Sequence, residues 1–184
     1  MKDYLKTALA FTKKIKTTGA VSETSKWVIR DLTKPIDQSK KQTIIEYGAG
    51  HGNITRVALD KMHPDSKLYA FEIHEDFCNV LRSIQDSRLH VVCDSAENVG
   101  RYVNPGESVD CIISTIPFTF IPDEILDEIL ANSYALLKND AYMMQVLYSS
   151  RHIKHYKRHF SKYSTKLALN FPPASIYTCQ KVEC

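Results

Sequence analysis

The sequence predicts an α/β domain on an open, mostly parallel seven-stranded sheet whose last strand runs antiparallel. Three observations carry that prediction. From residue 42 onward, short apolar runs alternate with helix-period segments, as successive βαβ units require. Gly48, Gly50 and Gly52 follow the first of these runs directly. Acidic side chains, Glu46, Glu72 and Asp94, stand at the carboxyl ends of the first three runs.

The strands are expected near 43–47 (TIIEY), 67–73 (KLYAFEI), 89–93 (LHVVC), 109–115 (VDCIIST), 142–148 (YMMQVLY), 165–171 (TKLALNF) and 175–182 (SIYTCQKV). Helices fill most of the gaps. Only Pro172, Pro173 and one further residue separate the last two runs, which leaves no room for a crossover helix and makes them an antiparallel hairpin. Before the first strand, Tyr4, Leu5, Ala8, Leu9, Phe11 and Ile15 fall on one side of a helical wheel, with Lys6, Lys13 and Lys14 on the other. That segment reads as an amphipathic basic helix, either packed on the sheet or lying on an anionic membrane.

With 184 residues the chain fits one domain. We divide it into a basic helical segment, 1–34, and the sheet-bearing core, 35–184. No apolar run approaches the roughly 18–20 residues that cross a bilayer. The amino-terminal stretch has no continuous apolar core of the secretory kind, so a cytoplasmic location is expected. Five widely spaced cysteines without a C-x-x-C pair argue against a disulfide framework or a zinc knuckle and are expected to fill the core. Charge is unevenly spread: residues 1–41 hold ten Lys or Arg against four acids, 42–150 hold seven against sixteen, and 151–166 hold six against none. An acidic body between basic flanks suits an anionic surface, lipid or nucleic acid.

The glycine spacing is G-x-G-x-G, without the G-x-G-x-x-G of dinucleotide folds. Glu46, two residues before Gly48, decides between nucleotide ligands. A pyrophosphate beside it would be repelled, whereas S-adenosylmethionine carries a sulfonium and an ammonium. A unit charge pair about 4 Å apart at an effective dielectric near 20 is worth about 4 kcal/mol before desolvation. Glu72 is placed to accept both ribose hydroxyls. Asp94 is placed for the adenine amino group, with Ser95 and Ala96 offering backbone contacts.

With E-x-G-x-G-x-G at 46–52, the acid at Glu72 and Asp94-Ser95-Ala96 in order, residues 40–182 resemble the class I methyltransferases, which implies a Rossmann-like core and S-adenosylmethionine as cofactor. More narrowly, TGAVSETS (18–25), LYAFEIHEDFC (68–78), STIPFTFIP (114–122) and NFPPASIYTCQK (170–181) resemble the bacterial phospholipid N-methyltransferases, which methylate phosphatidylethanolamine. His51 and Glu23-Thr24 depart from that pattern. The resemblance implies that the segment around Gly19 covers the methionine end of the cofactor, that Ser114 to Phe118 line the transfer site and that the amino-terminal helix meets the membrane. The cofactor set is then Gly19, Glu46, Gly48, Ala49, Gly50, Glu72, Ile73, Asp94, Ser95, Ala96 and Ser114. The expected location is peripheral, on the inner membrane face.

Methyl transfer to an amine is an in-line displacement at carbon, so positioning and water exclusion matter more than a protein nucleophile. A lysine-like amine has a pKa near 10.4, and deprotonating it at pH 7 costs about 4–5 kcal/mol. Tyr148 or a backbone carbonyl near Thr115 is expected to orient the neutral amine, and Pro117 with Phe118 to hold it by an aromatic face. Arg151 suits a lipid phosphate. His152, His155 and His159 share a helix face with no acid or cysteine beside them in sequence, so no metal is expected. Three alternatives stay open: an rRNA adenine N6-methyltransferase, a small-molecule amine methyltransferase and a non-catalytic membrane-binding scaffold. Against the first, Ser114-Thr115-Ile116-Pro117-Phe118 lacks the asparagine of the Asn-x-Pro-aromatic block that holds a flipped adenine. Nucleic acid is therefore the less expected partner, and no obligate protein partner is evident.

Overall fold

A computed structural model describes residues 24–103, 106–118, 121–170 and 173–182. The proposed amphipathic helix and Gly19 lie outside them. In chain order the elements are α1 (Lys26–Leu32), β1 (Thr43–Tyr47), α2 (Asn53–Lys61), β2 (Lys67–Phe71), α3 (Glu75–Arg82), β3 (Leu89–Val92), β4 (Val109–Ser114), α4 (Asp123–Leu136), β5 (Leu137–Leu147), α5 (Ile153–His159), β6 (Lys162–Ala168) and β7 (Ala174–Gln180). Short 3-10 turns precede β4, at Ala96–Arg101, and α5, at Ser150–His152.

The seven strands form one sheet in the order β3-β2-β1-β4-β5-β7-β6. All neighbours pair parallel as far as β5; β7 then runs antiparallel to both β5 and β6. This is the predicted α/β arrangement, hairpin included. Strand order reverses between β1 and β4, the position in an open α/β sheet outside whose carboxyl strand ends ligands bind.

The central strands are buried on both faces. Ile45, Tyr47, Ile112 and Met143 pack on one side with Leu126, Ile129 and Leu130 of α4 and Tyr156 of α5. Ile44, Leu68, Ile113 and Met144 pack on the other with Val28 and Leu32 of α1 and Ile54 and Ala58 of α2. Side chains of this size contribute roughly 1.5–3 kcal/mol each when fully buried.

Several details differ from expectation. Strand β5 begins at Leu137, five residues before the apolar run, because α4 passes into it directly and Asp140 takes a left-handed φ of 63° beside a register shift between Val109 and Cys111. The polar residues Lys138, Asn139 and Asp140 conceal that extension. Strand β6 lies three residues early, since its pairing with β7 continues through exposed, polar Lys162–Lys166. The cysteines are not all core fillers. Cys78 of α3 and Cys93 after β3 are joined as a disulfide, with Cα atoms 5.9 Å apart. The β2–α3–β3 unit folds the helix back over the end of its strand, a juxtaposition that linear spacing does not show. Cys111 and Cys179 are free and buried, as expected.

Candidate functional site

The glycine loop follows β1. Gly48 and Gly50 adopt φ values of 76° and 55°, and Gly52, at 82°, starts α2. A Cβ on Gly48 would stand 3.2 Å from Ile116 Cγ1 and 3.4 Å from the Ile116 amide nitrogen, so the loop after β1 touches the loop after β4 there. Thr115 reinforces that contact: its amide donates to the Tyr47 carbonyl at 3.0 Å and its hydroxyl to the Gly48 carbonyl at 3.0 Å.

The three strand-end acids differ in environment. Glu46 is 1% exposed, and its Oε2 accepts a 2.6 Å hydrogen bond from the Thr55 hydroxyl of α2. Its Oε1 is buried without a partner. Burial, only partly offset by Thr55 and reinforced by the nearby Glu72 charge, pushes the Glu46 pKa up to about 8. Glu72 pins the loop instead: Oε2 accepts from the Gly50 amide and Oε1 from the amides of Ile73 and His74, each at 2.9 Å.

Asp94 accepts from the Ser95 amide at 2.7 Å, from Asn98 at 2.9 Å and from the Tyr102 hydroxyl at 2.8 Å. Partial burial pulls its pKa upward, but the hydrogen bonds from Tyr102, Asn98 and Ser95 together hold it below the ordinary value. Ser95 and Ala96, both buried, open the 3-10 turn that carries Asn98. A carboxylate has about four acceptor positions. Glu72 and Asp94 therefore keep acceptor capacity after making these bonds.

Ser114 ends β4 with its hydroxyl buried and unpartnered. Opposite it in register on β5 stands Gln145, whose amide donates to the carbonyls of Ile116 and Val146 while its Oε1 is buried without a partner. Sequence reasoning passed over Gln145, although a lone amide inside the apolar run YMMQVLY was a usable signal. It also missed Thr55 and Tyr102, which act through Glu46 and Asp94.

The residues expected at the transfer site differ in exposure. Pro117 is exposed, but Phe118 is 2% exposed and packs edge-on against Tyr156, with ring centres 6.3 Å apart. This corrects the expectation for Phe118: the short turn after β4 sends its ring into the core rather than toward a substrate. Tyr148, just beyond β5, is half-exposed, and its hydroxyl accepts from Asn170 at 3.4 Å. Burial of the phenol raises its pKa above the ordinary value. Arg151 lies exposed on the turn that follows.

The expectation of histidines without acids is also corrected. Asp123 and Asp127 of α4 come against His152, His155 and His159, because α4 and α5 pack on the same face of the sheet.

Comparison with known proteins agrees with this geometry. The family described as "Methyltransferase domain" matches residues 44–140. An ornithine lipid N-methyltransferase of Singulisphaera acidiphila is 26% identical over 195 residues, spanning 100% of this chain and 98% of that one. Among solved structures, the N-methyltransferase NodS from Bradyrhizobium japonicum superposes with a TM-score of 0.69 at 8% identity, over 84% of this chain and 94% of that chain. An rRNA methylase from Streptococcus thermophilus gives 0.64 at 15%, over 88% and 100%. Fibrillarin from Aeropyrum pernix, with natively bound S-adenosyl-L-methionine, gives 0.59 at 16%, over 78% and 67%. At these identities the structures speak to the fold, while the family match spans more than half the chain and takes in the glycine loop and all three acids. The chain therefore belongs to the methyltransferase domain family and is a class I, S-adenosylmethionine-dependent methyltransferase.

Proposed function

We propose that the enzyme methylates the primary amine of a lipid headgroup, phosphatidylethanolamine or an ornithine lipid, at an anionic membrane surface. The observation that carries this reading is the end-to-end similarity to an ornithine lipid N-methyltransferase. A surface feature supports it. Trp27, Tyr148, Leu167 and Leu169 are exposed by 42%, 52%, 75% and 72%. Ser25 binds both the Leu169 carbonyl and Asn170, and Asn170 reaches Tyr148, so these side chains belong to one region beside the carboxyl end of β5. Lys26 and Arg30 lie over the Trp27 ring, at 5.5 and 4.7 Å. Apolar and aromatic groups rimmed by cations are what an anionic interface accommodates. No helix among the described residues is long and apolar enough to cross a membrane.

In this reading Glu46 faces the positive end of the cofactor, Glu72 the ribose and Asp94 the adenine, with Gly48, Ala49, Gly50, Ile73, Ser95 and Ala96 supplying backbone. The partnerless Glu46 Oε1 fits a cationic group. The bound cofactor supplies an activated methyl carbon. Ser114 and Gln145 offer polar atoms beside Thr115, and Tyr148, neutral at physiological pH, orients the amine by hydrogen bonding and does not act as a phenolate base. Arg151 faces the headgroup acid, a phosphate in phosphatidylethanolamine or the carboxylate of ornithine.

The test supplies methyl-labelled S-adenosylmethionine with, in separate reactions, phosphatidylethanolamine vesicles, ornithine-lipid vesicles, total RNA and soluble ethanolamine. Label in a lipid extract supports the reading, and the vesicle that takes it up identifies the headgroup. Label confined to RNA or soluble amine overturns it.

A further inference from the structure

We propose that Asp123, His152 and His155 form a binding site for a divalent transition-metal ion, zinc in the first instance. His152 and His155 are 3% and 1% exposed. Both ring nitrogens of His152 and Nε2 of His155 are buried without a hydrogen-bond partner, the kind of desolvation that folded chains rarely leave uncompensated. Two of these nitrogens converge on one carboxylate: His155 Nε2 is 3.3 Å from Asp123 Oδ2, and His152 Nδ1 is 3.9 Å from Asp123 Oδ1. One ligand atom from each residue lies within 4.8 Å of the others. Ligands about 2.0 Å from a tetrahedral ion stand about 3.3 Å apart, so small adjustments close the set.

The surroundings prepare the ligands. His155 Nδ1 lies 2.9 Å from Asp127 Oδ1, and because a carboxylate only accepts, Nδ1 carries the proton. With Nδ1 protonated, Nε2 of His155 keeps its lone pair for an ion held between it and Asp123, the carboxylate–histidine–metal arrangement of metalloenzymes. Arg158 holds the other oxygen of Asp127 at 3.0 Å. Lys154 reaches Asp123 Oδ2 at 3.6 Å, but it is 60% exposed and free to swing into solvent as the ion enters.

Two imidazoles and one carboxylate suit zinc, cobalt, nickel or iron(II) rather than magnesium or calcium, and three protein ligands leave a position for water. The ion would join the start of α4 to the start of α5. These segments leave the carboxyl ends of β4 and β5, so it would clamp the two loops carrying Thr115 and Tyr148.

The test uses the untagged full chain, stripped with chelator and kept free of reductant so that Cys78 and Cys93 stay joined. Zinc titration should show about one equivalent bound, and cobalt(II) should give a visible absorption band of a low-coordinate nitrogen/oxygen site. Asp123→Asn, at a half-exposed position, should abolish the band. Asp127→Asn should weaken affinity about 10- to 100-fold. His152→Gln should behave as Asp123→Asn, and the melting temperature should rise with zinc in the parent but not in Asp123→Asn. Absence of binding in the parent, or binding unchanged in the aspartate variants with their metal-free melting temperature preserved, overturns the proposal.

Discussion

The Thr55 hydroxyl donates a 2.6 Å hydrogen bond to one oxygen of Glu46 and leaves the other buried with no partner. A carboxyl in that position is held protonated near neutrality, with its pKa at about 8 against an ordinary value of 4.5. The cofactor-free fold therefore binds one more proton than the unfolded chain between those values. Stability contributed by the neutral form is complete below about pH 4.5 and is lost as pH rises toward 8, by up to about 1.4 kcal/mol per pH unit. Scanning calorimetry without cofactor should show Glu46→Gln flattening this fall and melting higher than the parent at pH 8.

Thr55→Val removes the hydrogen bond that favours the carboxylate. Bonds to charged groups are worth roughly 1.5–3 kcal/mol, equivalent to about one to two pH units. The pH at which S-adenosylmethionine affinity is half-maximal should move to more alkaline values by that amount. An unmoved profile would mean that Thr55 does not govern Glu46.

Gly48→Ala places a methyl group 3.2 Å from Ile116 and forces a side chain onto a φ of 76°. The left-handed backbone alone costs roughly 1–2 kcal/mol. Moving the loop should weaken cofactor affinity at least about tenfold, because the Gly50 amide is tied through Glu72 to β2. Equilibrium dialysis of the variant checks this.

Leu167 and Leu169 are largely exposed, so changing both to Asp should leave the melting temperature within a degree or two. Losing two leucines from the proposed membrane contact, at roughly 1.5–3 kcal/mol each for full burial, should lower partition onto anionic vesicles by a factor of about 100 or more. Co-sedimentation is the check, and unchanged partition would remove these residues from the contact.

The parallel core was readable because its strands are short apolar runs separated by helix-period segments, and the acids were readable because each sits at the end of such a run. What escaped depends on contacts distant in sequence. The first turn of β5, Leu137–Tyr142, is held by pairing with neighbouring strands rather than by apolar pattern. The Cys78–Cys93 pair and the meeting of His155 with Asp127 come from helices folding over the sheet. Phe118 shows the converse: its place in the motif was legible, but the direction of its ring is set by the Tyr156 side chain it packs against.

In the proposed reading Glu46 meets the cofactor as a carboxylate, which titration calorimetry of S-adenosylmethionine at pH 7 in buffers of different ionisation enthalpy can test. Because the free enzyme holds Glu46 largely protonated, binding should release close to one proton. The release should vanish in Glu46→Gln, which should also bind at least about tenfold more weakly. Binding with no proton release, at an affinity that Glu46→Gln leaves unchanged, would contradict it.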